Sequence, residues 1–355
     1  MTNNKTKLLF YAILVYGIPI LLWSAVPFTK NIWGSFTSDF IFNYLFFGTI
    51  KYSVMGIIFD IFIIYIIYIL LSKPKKDIEN NRIYLIFSGL KKIFKWVFKD
   101  RLKKELSISK QEKTSLLFYA VKLYFIPVML GFLIDNSASL INFFGTTQSF
   151  YKKGSVLNIK KTLILLVFPF VFYSILVIDT VIFAFGYLFE SRALKSIVKS
   201  VEPTALGWIS AIACYPPLNN LTSDILGWYS SDFSNFGNIN INLITGAVSI
   251  FFFVIYVWAS IALGPKASNL TNRGIVTKGP YKYIRHPAYT AKNLSWWLMG
   301  IPFIMASGFI AVFSLSMWTL IYFIRALTEE RHLLQDPDYV EYSKKVKYMF
   351  IPGLF

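Results

Sequence analysis

The sequence predicts an all-α fold, a polytopic transmembrane helical bundle of about eight crossings that ends in a C-terminal helical hairpin. Three observations predict it. Hydrophobic residues make up 55% of the 355-residue chain and charged residues only 15%, where a soluble domain carries about 25% charged residues. The apolar residues fall into runs long enough to cross a bilayer, about 20 residues at 1.5 Å each. The charges collect in the polar gaps between those runs, as they do in loops that face anionic lipid.

Taken in order, the candidate spans are 8–28, 52–72, 115–134, 162–190 and 241–263. The first follows a short polar start and is read as an uncleaved helix rather than a signal peptide. The stretch 205–228 is a weaker candidate, because Pro216-Pro217 removes backbone donors that lipid cannot replace. The last apolar stretch, 287–324, is too long for one crossing and carries Ala306-Ser307-Gly308 at its middle, so it is expected to turn back on itself.

Loop charges orient the model. Residues 73–114 hold 13 Lys/Arg against 5 Asp/Glu, which places this loop in the cytoplasm. Within it Ile83, Phe87, Leu90, Phe94, Val97, Phe98 and Leu102 recur at helical spacing among many lysines, the pattern of a basic amphipathic helix on the inner leaflet. A solvated linker helix is the alternative. Residues 191–204 and 264–286 are basic and fall inside; 229–240 has no Lys or Arg and falls outside; 135–161 is a mildly basic loop that breaks the rule. The simplest division is 1–240, transmembrane helices with the basic loop, and 241–355, a membrane-embedded core. The expected location is the cytoplasmic (inner) membrane of a bacterium.

The net charge of +18 does not point to nucleic acid, since the charge sits at membrane boundaries. Membrane lipids are the expected partners. Cys214 is the only cysteine, and His286 and His332 are the only histidines, so neither a disulfide nor a cysteine- or histidine-based metal site is expected. Asp60 is the one lone carboxylate noticed inside a span, and a packing role suits it best.

Chemistry concentrates in 273–355. Before the hairpin come Gly279-Pro280-Tyr281 and Arg285-His286-Pro287-Ala288-Tyr289; after it come Arg325, Glu329-Glu330, Tyr339, Tyr342 and Ile351-Pro352. A hairpin brings both groups to one face of the membrane. Arg325 and Glu329, four apart, share a helix face near the end of a spanning arm, where ionisable groups mark a functional site. Pro287 suits the first position of a helix, leaving Arg285 and His286 just outside it beside free amides. Cations, amide donors and paired carboxylates in one cytoplasmic-face pocket suit a zwitterionic ligand.

These pieces, in this order, resemble the membrane-embedded isoprenylcysteine carboxyl methyltransferases and their phospholipid N-methyltransferase relatives, over about the last 85 residues. The resemblance implies a methyltransferase that carries a methyl group from S-adenosylmethionine to a lipid-like or prenylated acceptor, with a carboxylate as the favoured acceptor group. It places Tyr281, Arg285, His286, Pro287, Tyr289, Glu329 and Glu330 in the cofactor site, with one glutamate facing the ammonium and His286 or nearby amides facing the carboxylate. Tyr339 and Tyr342 would close the pocket or stack near the adenine. Arg325 would orient the acceptor, and Arg325 and Glu329 are the expected catalytic pair. His332 falls outside the matched positions and is read as structural. Two positions depart from the family pattern: Ala291 stands where a glycine is common, and Met349 where an arginine is usual. The second counts against the standard prenylated cysteine as acceptor.

Two other readings are open. NADPH-dependent membrane reductases of the sterol type share an Arg-His-Pro-x-Tyr-like element and a similar ending, but usually carry Arg-Asp where this chain has Glu329-Glu330. A transporter or lipid-binding scaffold would need polar residues at mid-membrane in several spans, and the sequence offers few beyond Asp60 and the proline break.

Overall fold

The structure is a computed structural model that describes residues 2–25, 40–44, 48–52, 54–72, 79–100, 105–152, 158–221 and 226–353. It is overwhelmingly helical, and the chain divides into two compact units, Met1–Gly131 with Lys199–Val201, and Phe132–Val198 with Glu202–Phe355.

In the first unit, α1 (Thr2–Ala12) runs through a π turn (Ile13–Gly17) into α2 (Ile18–Ala25). A short hairpin, Phe40–Tyr44 with Gly48–Tyr52, precedes α3 (Val54–Leu71). The amphipathic helix forms as α4 (Arg82–Lys95), which Asn81 starts by accepting from the Ile83 amide. Its first half is docked: Ile83 and Ile86 pack with Leu8, Ala12, Val15 and Ile69. Its second half leaves Leu90 and Phe94 exposed, followed by Val97 and Phe98 in the next turn. Leu102 and the basic residues 101–104 lie outside the described residues, as do 26–28 of the first expected span.

Helix α5 (Lys110–Lys152) is far longer than the expected span 115–134 and absorbs most of the expected loop 135–161. Ser109 and Glu112 begin it by exchanging side-chain and backbone hydrogen bonds across three residues, a reciprocal cap. In its polar stretch Ser139 donates to the Asp135 carbonyl and Thr147 to that of Phe143, so these hydroxyls bond back into their own helix.

The second unit holds the site. Helices α6 (Ile159–Thr162) and α7 (Phe168–Leu188), joined by a π turn, lie beside α10 (Ile239–Leu263), with Phe172 and Ile175 packed on Phe253 and Val257. The expected crossing at 205–228 is not a spanning helix. It is α8 (Ala205–Ile212), a proline break at 216–217, and the four-residue α9 (Leu218–Leu221). The chain then threads between helices: Trp228 packs on Trp296 and Trp318, and the Ser230 hydroxyl donates to the Trp296 carbonyl at 2.9 Å. Part of the stretch expected outside the membrane is therefore irregular backbone at helix mid-depth, which hydrocarbon allows only when protein surrounds it.

The hairpin forms as expected. Helix α11 (Pro287–Ser307) turns at Gly308, at φ +58°, directly into α12 (Phe309–Leu333). The arms interlock through Trp297 Nε1 donating to Thr319 Oγ1 at 2.9 Å. Helix α13 (Pro337–Lys345) follows. Among the described residues four helical stretches are long and apolar enough to cross a membrane: Lys110–Gly145, Ile159–Leu188, Ile239–Lys266 and Phe309–Leu333. Helix α11 is long enough, about 31 Å, but carries Lys292 and Asn293 and is not among them.

The structure corrects the reading of mid-membrane polarity. Asp60 is exposed on α3. The buried carboxylate is Asp179 on α7, which accepts from Tyr256 (2.6 Å) and Ser260 (2.5 Å) of α10. Lys292 of α11 lies over the rings of Tyr256 and Trp296.

Candidate functional site

The start of α11 and the end of α12 meet because Gly308 folds one arm back along the other. Pro287 opens α11, as the sequence predicts, and His286 is its N-cap residue. On this base the predicted site residues separate into two groups, and the adjacent glutamates fall into different ones.

Glu330, 8% exposed, is the hub of the first group. Its Oε1 accepts from Arg285 Nε (2.7 Å), His286 Nε2 (3.1 Å) and the Tyr339 hydroxyl (2.7 Å). The Arg285 guanidinium also donates to the carbonyls of Val346 and Lys347. The amides of Arg285 and His286, expected to face a ligand, instead donate to the carbonyls of Tyr348 (3.0 Å) and Met349 (2.9 Å). Tyr342 donates to the Tyr281 carbonyl at 2.8 Å, and its ring lies tilted against that of Tyr339, centroids 5.5 Å apart. Burial, reinforced by the Glu330 carboxylate, pushes the Tyr339 phenol far above its ordinary value, so it stays a donor. Burial likewise raises Tyr342 and Tyr281. This group is a latch: it ties the Arg-His-Pro turn, α12, α13 and the tail 346–350 together, and its polar atoms are largely committed to one another.

The second group lines a cleft. Tyr289, Arg325 and Glu329 face it together with Glu202, Asn269, Thr271, Thr328 and His332; its empty space, open mouth included, is about 400 Å³. Glu329 Oε2 accepts from the Tyr289 hydroxyl at 2.8 Å. Arg325 is 6% exposed, donates to Asn269 Oδ1, and lies over the rings of Tyr289 (5.2 Å), Tyr215 and Tyr322 (both 5.7 Å). Among the described residues no carboxylate lies within ion-pair distance of it. A buried guanidinium balanced only by ring faces and one amide oxygen favours an anionic ligand.

The far wall is the segment 267–273, held from several sides. The Asn269 amide donates to the Tyr187 hydroxyl (2.7 Å), Asn272 Nδ2 to Asp336 Oδ2 (2.8 Å), and Arg273 to the carbonyls of Phe189 and Ser196. Gly186 lets this segment approach α7, since a Cβ there would stand 1.9 Å from the Ala267 carbonyl oxygen. His332 joins the cleft although the sequence reads it as structural; four residues past Thr328, it shares the cleft face of α12.

Thus three of the predicted residues, Tyr289, Arg325 and Glu329, line the cleft, while Arg285, His286, Glu330, Tyr339, Tyr342 and Tyr281 form the latch beside it and Pro287 starts the helix between them. The two groups touch where the His286 ring stacks on Tyr289, centroids 5.4 Å apart. Sequence reasoning missed Glu202 and Asn269; neither lies in a motif, and no periodicity points to them. Among the described residues no cluster could hold a metal ion.

Residues 247–335 match the model of the isoprenylcysteine carboxyl methyltransferase (ICMT) family. The match takes in the Arg-His-Pro turn, the hairpin and both glutamates, and agrees with the resemblance read from those residues. It stops short of α13, the tail and the segment that supplies Glu202. Comparisons with curated proteins and with solved structures give no match.

Proposed function

We propose that the second unit is a membrane methyltransferase that binds S-adenosylmethionine in the cleft below Arg325 and methylates a lipid-like or prenylated acceptor, with a carboxylate as the accepting group. One observation carries this reading: Glu329 and the uncompensated Arg325 face one cleft within the segment that matches the methyltransferase family. The residues fit the cofactor, whose methionine end carries both an ammonium and a carboxylate. Bound there, it would supply a methyl group already activated on a sulfonium.

The chain's own residues then have little bond-making to do. Glu329, oriented by the Tyr289 hydroxyl, offers a carboxylate to a cationic end of the cofactor. Arg325, fixed by Asn269 and three tyrosine rings, offers its remaining N–H groups to the acceptor's carboxylate and holds it in line. A carboxylate, with a pKa near 4, is ionised at pH 7, so no general base is required. The latch keeps the start of α11, and with it Tyr289, in register with α12.

The test is a titration of protein in detergent or nanodiscs with S-adenosylmethionine, S-adenosylhomocysteine and NADPH. Both adenosyl ligands should bind, NADPH should not, and Glu329→Gln should weaken S-adenosylmethionine binding at least tenfold without lowering thermal stability. NADPH binding alone would favour a reductase, and unchanged affinity in Glu329→Gln would remove Glu329 from the site.

A further inference from the structure

The cleft holds a second carboxylate that lies outside the family match. Glu202 is 2% exposed and lines the same cleft as Glu329 and Arg325. Its two oxygens differ. Oε1 accepts from the Thr204 amide at 3.0 Å, from the Thr204 hydroxyl at 2.5 Å and from Arg331 Nη2 at 2.7 Å. Oε2 is buried and meets no donor among the described residues.

The surroundings hold this side chain in place. Thr204 caps α8 by accepting from the Gly207 amide, and Gly207 lies directly against the carboxylate: a Cβ there would stand 2.4 Å from Glu202 Cγ and 2.6 Å from Cδ. The Glu202 amide donates to the Leu270 carbonyl at 2.8 Å, which fastens it to the wall segment of the cleft. A buried carboxylate oxygen without a donor keeps the full cost of its lost hydration, and such a group calls for a partner from outside the chain.

We propose that Glu202 Oε2 receives the ammonium of the ligand's amino-acid end, as a second anionic contact beside Glu329. This rests on the reading of the cleft as an S-adenosylmethionine site. Charge supports it. That cofactor carries two cations, the ammonium and the sulfonium; the cleft presents two carboxylates, Glu202 and Glu329. A cleft carboxylate is thus at hand for each cation, with Glu202 Oε1 already paired to Arg331 and Oε2 left for the ligand.

The probes are S-adenosylhomocysteine, which keeps the amino-acid end, and 5′-methylthioadenosine, which lacks it. Wild-type protein should bind both. Glu202→Gln keeps an oxygen for Thr204 and Arg331 but loses the charge, and should weaken S-adenosylhomocysteine roughly ten- to hundredfold while leaving 5′-methylthioadenosine within about twofold. Arg331→Met, which breaks the ion pair with the half-exposed Arg331 and leaves Oε2 alone, should bind S-adenosylhomocysteine as wild type does. Equal loss of both probes in Glu202→Gln, or the same loss in Arg331→Met, would make Glu202 a structural group and overturn the proposal. Unchanged binding in Glu202→Gln would mean that water satisfies Oε2, and would also overturn it. Failure of the wild-type protein to bind S-adenosylhomocysteine would instead defeat the cofactor reading beneath it.

Discussion

Replacing Glu330 by alanine should release the C-terminal tail. Arg285 and Glu330 are nearly buried, with side chains 11% and 10% exposed and a 2.7 Å contact. Removing one partner of a buried pair costs about 3–5 kcal/mol, because the other charge stays behind. Arg285 keeps the carbonyls of Val346 and Lys347, so the lower figure applies. About 3 kcal/mol is roughly a hundredfold rise in the open population. The readout is limited trypsin digestion in nanodiscs, where opening would free the backbone around the already exposed Lys344, Lys345 and Lys347 to enter the protease. When reclosing outpaces cleavage, the rate follows the open population. Glu330→Ala should be cut in this region about a hundredfold faster than wild type. Glu330→Gln, which keeps a neutral acceptor, should fall between them. A change of less than about tenfold in Glu330→Ala would refute the latch.

Two further outcomes follow from the same geometry. Gly186→Ala should destabilise by about 3 kcal/mol, seen as a lower unfolding temperature, because its Cβ would overlap the Ala267 carbonyl on the fixed wall of the cleft; wild-type stability would show that this wall moves freely. Tyr289→Phe removes the donor to Glu329 and should weaken S-adenosylmethionine binding by roughly five- to tenfold with little loss of stability; unaltered affinity would mean that the phenol does not orient the carboxylate.

Much of the hairpin is legible in the sequence because its signals are local. Pro287 marks a helix start, small residues mark the turn at Gly308, and a run too long for one crossing has to fold back. That the Arg-His-Pro turn meets the glutamates is legible for the same reason. The division of labour between Glu329 and Glu330 is not. An ion pair and a ligand site use the same residue types, and only coordinates show that Glu330 is spent on Arg285, His286 and Tyr339 while Glu329 faces the cleft. Hydropathy misleads at 205–228, where the composition suits a span but the prolines limit it to short helices. It misleads the other way at 135–152, where hydroxyls that look like loop residues bond back to their own helix. Asp179 is hidden by its apolar neighbours in sequence, and its partners Tyr256 and Ser260 lie about 80 residues away in another helix. Glu202 is harder still: it follows a basic stretch, belongs to no motif, and becomes notable only when one of its oxygens is found without a donor.

An experimental structure with S-adenosylhomocysteine bound in nanodiscs tests the central claim most directly. The ligand should lie between segment 267–271 and α12, its amino-acid end within hydrogen-bond reach of Glu329, with the contacts of Arg285 and His286 to Glu330 left intact. Ligand bound instead against Arg285 and His286, with Glu330 turned away from them to meet it, would contradict the assignment of the cleft and the latch alike.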